Sequence, residues 1–134
     1  MTPQTAGDAG AIFVSKNELF EQADILTIHL VLSSRTRGLV GAAELERMKP
    51  TARLINASRG PIVEEQALIS VLKNKQIAGA AIDVFDIEPL PPSHPFRTLD
   101  NVLATPHIGY VSAGLYKTFY EDTVSNIRKW LDTQ

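Results

Sequence analysis

Residues 78–85 read Ala78-Gly79-Ala80-Ala81-Ile82-Asp83-Val84-Phe85. Small and β-branched apolar residues follow one another here with almost none of the alternation of a half-exposed strand, which suits a strand buried inside a parallel sheet. Outward from it the same texture recurs at 52–57 (ARLINA), 24–30 (DILTIHL), 101–104 and 11–14. The segments between these runs have helical spacing instead, at 16–23, 41–48 and 64–74, where Leu68, Val71 and Leu72 share one face. Strand and helix in alternation give βαβ units. The fold class is α/β, a doubly wound parallel sheet. Residues 112–131 place Tyr120, Val124, Ile127 and Leu131 on one stripe, an amphipathic helix that needs an apolar surface to dock on.

The 134 residues, 44% apolar and 21% charged, have the size and composition of one folded domain and exclude a disordered or collagen-like chain. Thirteen Lys and Arg against 15 Asp and Glu leave a net charge of -2, so no partnership with nucleic acid or an anionic membrane is expected. No run approaches the ~18 apolar residues that span a bilayer. The first residues lack the basic start and apolar core of a signal peptide, and a cytoplasmic location is expected. Without cysteine there are no disulfides, thiolate metal sites or cysteine nucleophiles, and no metal site is expected. The prolines at 89, 91, 92 and 95 mark an extended loop in which His94 is expected to be exposed.

Ligands of such sheets collect beyond the carboxyl ends of the strands. Those positions hold His29-Leu30, then Ala57-Ser58-Arg59-Gly60, then Asp83 with Glu88, then Thr105 to Gly109 around His107. An arginine fork can grip a carboxylate bidentately and polarise a neighbouring carbonyl. A histidine can give a proton to a forming alkoxide or take one from an alcohol. A glutamate beside it would orient the ring and stabilise the imidazolium. Arg59, Glu88 and His107 together therefore suit chemistry on a small 2-hydroxy or 2-keto acid. Each has a plainer reading as well: Arg59 as a loop charge, His107 as a backbone-bonded histidine, Glu88 as a solvated turn residue. His29 reads as structural, and Asp83 equally as a strand-ending cap or a ligand contact.

Taken together, Met48-Lys49-Pro50, Asn56-x-Ser58-Arg59-Gly60-x-Ile62-Val63, the run from Ala78 through Asp83-Val84-Phe85 to Glu88-Pro89, and Thr105-Pro106-His107-Ile108-Gly109 are far more specific than their parts. Over residues 23–110 the chain resembles the D-isomer-specific 2-hydroxyacid dehydrogenases, the family of phosphoglycerate, hydroxypyruvate and glyoxylate, and D-lactate enzymes. The resemblance implies a Rossmann domain binding NAD, with NADP not excluded, and reversible hydride transfer between NAD(H) and a D-2-hydroxyacid/2-ketoacid pair. Arg59 matches the arginine that holds the substrate carboxylate and carbonyl, and Glu88 and His107 match the acid–base pair. Asp83 matches a position near the nicotinamide carboxamide. His29, Leu30, Ala57, Ser58 and Gly109 fall where the family lines the cofactor, as do Arg59 and His107. Tyr110 and Val31 depart from the family pattern, in which a small residue and a proline are common.

A dinucleotide site also needs a glycine-rich turn for the pyrophosphate, and the sequence contains no Gly-x-Gly-x-x-Gly. Residues 1–110 are thus expected to be an incomplete NAD-binding domain without its first βαβ unit or a substrate domain. Residues 111–134 would be a helix of the same domain or one returning towards the substrate domain. With residues 11–14 as strand 3 and 24–30 as strand 4 of the order 3-2-1-4-5-6, strand 4 becomes an unpaired apolar edge, and a homodimer is expected. On the enzymatic reading the 134-residue chain alone is expected to be inactive, and the competing reading is a non-catalytic dimerising or nucleotide-sensing module of the same fold, inactive as the isolated chain.

Overall fold

In the computed structural model, which describes residues 2–134, four apolar runs become strands and pair in chain order. They are β1 (Ile25–Ile28), β2 (Arg53–Asn56), β3 (Gly79–Ile82) and β4 (Val102–Ala104), and every pairing is parallel. The register sets Ile28, Asn56, Ile82 and Ala104 at one level, so all four strands end along one edge. The helices are α1 (Pro3–Asp8), α2 (Lys16–Gln22), α3 (Ala42–Leu45), α4 (Glu65–Lys73) and α5 (Ala113–Leu131). The sheet is the parallel α/β arrangement expected from the alternation of strands and helices, and the partial Rossmann sheet that the family resemblance implies.

Phe20 of α2, Leu45 of α3 and Leu68 and Leu72 of α4 share one buried core with Leu26, Leu54 and Ile82 of the sheet. These helices cover one face. On the other, Ile25 and Leu103 are each 65% exposed. The start of α2 is defined by its cap: Ser15 Oγ accepts the Glu18 N–H while the Glu18 carboxylate accepts that of Ser15. The connection from β3 to β4 contains no α-helix. It is an irregular loop closed by a 3-10 turn (Pro95–Arg97), with Phe96 in the core and Arg97 donating to the carbonyls of Leu90 and Pro91.

The strand expected at 11–14 does not form; the segment is irregular, and Ile12 is 89% exposed. A strand needs a neighbour for its backbone groups, and β1, the edge strand, pairs only with β2. Conversely α1 was not legible as part of the apolar pattern. It rests on Thr2 as cap and Pro3 in its first turn, a signal independent of hydrophobic period. No residue of α5 is buried, so its apolar stripe finds no docking surface among the described residues.

Leu54 is fully buried at the middle of the sheet. Leu54→Ala is expected to lower unfolding stability by about 2–5 kcal/mol, and Leu103→Ala on the open face by no more than about 0.5 kcal/mol. Equal shifts of the urea midpoint would contradict the one-sided core.

Candidate active site

At the end of β2 the buried Asn56 side chain organises the turn that follows. Its Oδ1 accepts the Ser58 N–H at 3.1 Å and its Nδ2 donates to the Arg59 carbonyl at 3.0 Å. Ser58 Oγ donates to the Ile28 carbonyl at 2.9 Å, tying this turn to the end of β1. The chain then enters a 3-10 turn (Gly60–Ile62) packed against the exit from β3. A Cβ on Gly60 would collide with the Phe85 carbonyl and lie 2.7 Å from the Asp86 nitrogen, so only glycine permits this approach. Residues 38–40 pair alongside, Gly38 N–H donating to Pro61 O and Val40 N–H to Ile62 O. Arg59 itself is exposed, with Nη1 donating to the Ser58 carbonyl at 2.6 Å.

Glu88 and His107, nineteen residues apart, meet directly: His107 Nδ1 lies 2.7 Å from Glu88 Oε2. The other carboxylate oxygen of Glu88 accepts the Phe85 N–H at 2.9 Å, which fixes the plane of the group. Partial burial pushes the Glu88 carboxyl up, but the His107 hydrogen bond, the Phe85 N–H and the charges of His107 and Arg59 outweigh it and hold it below its ordinary value. Arg59 thus acts on the pair through its field, without touching it. His107 has φ 55°, in the left-handed region that non-glycine residues seldom occupy.

Asp83, at the β3 terminus, is 8% exposed. Its Oδ1 accepts from Thr105 Oγ1 (2.5 Å) and Ile108 N (3.0 Å), and its Oδ2 from Gly109 N (2.8 Å). Burial pushes this carboxyl up as well, and the three donors together with the His107 charge pull it below its usual value. A Cβ on Gly109 would sit 2.9 Å from Oδ2. His29 is exposed, its Nε2 3.0 Å from Thr27 Oγ1, and beside it Leu30 and Ala57 are bare at the ends of β1 and β2. Among the described residues no group of His, Asp or Glu is placed to hold a metal ion, and no helix is long and apolar enough to cross a membrane.

His94 corrects an expectation. Its side chain is only 13% exposed; Nδ1 accepts the Phe96 N–H at 3.2 Å, so Nε2 carries the proton that faces Glu65 Oε1 at 3.1 Å. The ring also lies against Phe96, which roots the proline-rich loop in the core and draws the histidine in. Asn56 and Thr105 were not singled out in the sequence. Their signal was position, inside motifs in which only the charged members draw notice.

Residues 2–109 match the family model described as the D-isomer specific 2-hydroxyacid dehydrogenase, NAD binding domain. A glyoxylate reductase of Thermofilum pendens is 49% identical over 96 residues, covering 72% of this chain and 28% of that protein. The crystal structure of a phosphoglycerate oxidoreductase from Vibrio cholerae superposes with a TM-score of 0.90 at 38% identity, over 98% of this chain and 42% of that one. A 2-hydroxyacid dehydrogenase from Xanthobacter autotrophicus, crystallised with NADPH and MES, is 42% identical with a TM-score of 0.67, over 69% of this chain and 30% of that one. The chain spans about a third of the length of such relatives.

Glu88 and Asp83 titrate below their ordinary values of 4.5 and 3.8. A carboxyl depressed in the folded state stabilises the fold above its unfolded pKa and loses that contribution as pH falls through the folded value. Resistance to urea unfolding is therefore expected to fall from about pH 5 to about pH 3, and to fall less in a Glu88→Gln, Asp83→Asn double variant. Asp86, raised by burial and by the Glu65 charge, works in the opposite sense. An unaltered acid slope in the double variant would contradict these assignments.

Proposed function

The chain belongs to the D-isomer-specific 2-hydroxyacid dehydrogenase family through its NAD-binding domain, and from that premise we propose that it carries the acid–base and carboxylate-binding residues of an enzyme interconverting a D-2-hydroxyacid and its 2-ketoacid. The observation that carries this reading is the 2.7 Å contact between His107 Nδ1 and Glu88 Oε2, with the second Glu88 oxygen anchored to backbone. Residues 1–110 are read as the NAD-binding portion, and 111–134 as a helix that extends from it. The setting is cytoplasmic, and the substrate a small acid of the glyoxylate, hydroxypyruvate, phosphoglycerate or D-lactate type.

The nicotinamide end of NAD, or of NADP, fits the edge described. Asp83 spends three of about four acceptor positions within the chain, which leaves one for a carboxamide N–H. Leu30 and Ala57 offer a bare apolar shelf beside Ser58. The pyrophosphate has no glycine-rich turn among these residues. When bound, the cofactor supplies the hydride donor or acceptor that no side chain provides.

The protein's own part follows from proton accounting. Glu88, held ionised, only accepts hydrogen bonds, so His107 Nδ1 carries a proton and donates it to Glu88. Nε2 is then the exchanging atom. In ketoacid reduction the imidazolium Nε2–H passes its proton to the carbonyl oxygen as C2 becomes tetrahedral; in hydroxyacid oxidation neutral Nε2 takes the hydroxyl proton. Glu88 stabilises the imidazolium in both directions. Arg59 grips the carboxylate and polarises the carbonyl, its guanidinium placed by the turn that Asn56 braces.

In a full-length enzyme that carries this chain, assayed for NADH oxidation with small 2-ketoacids, His107→Ala is expected to reduce kcat by about 10²–10⁴-fold, and Arg59→Ala to act chiefly by raising KM. Turnover untouched by either change would sink the mechanism. The bare β1 edge favours a second reading, a dimerising or nucleotide-sensing module inactive as the isolated chain. We also propose that the chain forms a homodimer, for which a stable monomer in sedimentation is the contrary result. Calorimetric titration of the isolated chain with NADH is expected to show weak binding or none, and micromolar binding would overturn that expectation and count against the module.

A further inference from the structure

Among the described residues, the buried polar or charged side chains are Asn56 and Asp83. They are neighbours, since the Asp83 N–H donates to the Asn56 carbonyl at 3.0 Å. A buried carboxylate persists only where donors replace its water. All three donors of Asp83 come from one short segment and bracket His107: Thr105 Oγ1 two residues before it, Ile108 N and Gly109 N after it. None belongs to His107, whose own N–H turns back to the Thr105 carbonyl at 3.0 Å. A non-glycine residue stays in the left-handed region when its surroundings over-determine it. Here the surroundings are the two flanks of His107 drawn onto one anionic group that is seated against the end of β2.

We propose that Asp83 is a positioning residue for His107: by clamping residues 105–109 it holds the His107 backbone left-handed and thereby turns Nδ1 onto Glu88. The proposal rests on reading His107 and Glu88 as a working pair, and its content is that a group touching neither imidazole nitrogen decides which nitrogen carries the proton. Gly109 belongs to the same device. Any side chain there would press on Oδ2 from 2.9 Å and push the carboxylate off its donors.

The test is the tautomer of His107, read from the imidazole nitrogen resonances of the ¹⁵N-labelled chain at a pH where the ring is neutral. The intact protein is expected to show the Nδ1–H form, because Glu88 takes that proton. Asp83→Asn keeps the shape but sets an NH₂ group against N–H or O–H donors, and is expected to release the turn and give mixed tautomers. Thr105→Val removes one donor from the clamp and is expected to move the resonances the same way by less. A folded Asp83→Asn protein, or Thr105→Val should Asp83→Asn not fold, that retains the Nδ1–H form would overturn the proposal. A general loss of stability without rearrangement of the turn would lower the melting temperature and leave the tautomer in place, which also overturns it. Glu88→Ala separates the two readings: it should abolish the Nδ1–H preference while leaving the amide resonances of Ile108 and Gly109 near their places. A tautomer indifferent to Glu88→Ala would remove the pair itself rather than the clamp.

Discussion

Parallel pairing in near-perfect register is the constraint on which the site depends. Because β1 to β4 run the same way and Ile28, Asn56, Ile82 and Ala104 share a level, the next residues of each strand emerge side by side. Groups far apart in the chain, from His29 to His107, are thereby delivered to one edge without any of them contributing to the core. An antiparallel sheet would send alternate strand ends to opposite sides and scatter the same residues. The edge is also where the ladder's backbone partners run out, and this explains why side chains there are occupied with backbone: Ser58 with Ile28, Asn56 with Ser58 and Arg59, Asp83 with Ile108 and Gly109.

The energetics divide the molecule in two. Below the edge, stability comes from apolar burial on one face of the sheet, where Leu54, Leu45, Leu72 and Ile77 are fully enclosed. At the edge itself, buried polar groups add little net stability because hydrogen bonds to the protein replace those to water, but each one left unmet would be costly. The donors and acceptors that satisfy Asn56 and Asp83 lie in the turns that carry Arg59 and His107. The β3 to β4 loop is anchored in the same spirit by Phe96, Arg97 and the His94–Glu65 contact, so that Glu88 is presented from a rooted segment although no helix supports it.

The open face, the free side of β1 and the whole of α5 stand outside this scheme. Their exposed apolar residues, Ile25, Leu103 and the α5 stripe among them, show a chain whose hydrophobic pattern extends beyond the surface it buries. The segment 11–14 shows the same point locally. Its composition is that of a strand, but strand structure is a property of pairs, and no strand among the described residues pairs with it.

From residue order alone came the parallel α/β class, the positions of four strands to within a few residues, the helices between them and the trio Arg59, Glu88 and His107. These were legible because period and composition respond to local geometry, and because arginine, glutamate and histidine announce chemistry by type. Tertiary structure decided the rest. It showed that Glu88 meets His107 while the Arg59 guanidinium bonds the Ser58 carbonyl, that His94 is drawn against Glu65, and that Asp83 spends its carboxylate on the flanks of His107. These facts depend on which donor reaches which acceptor across 19 to 29 residues of chain. No local pattern encodes such contacts, because each exists only once the sheet has brought its ends together.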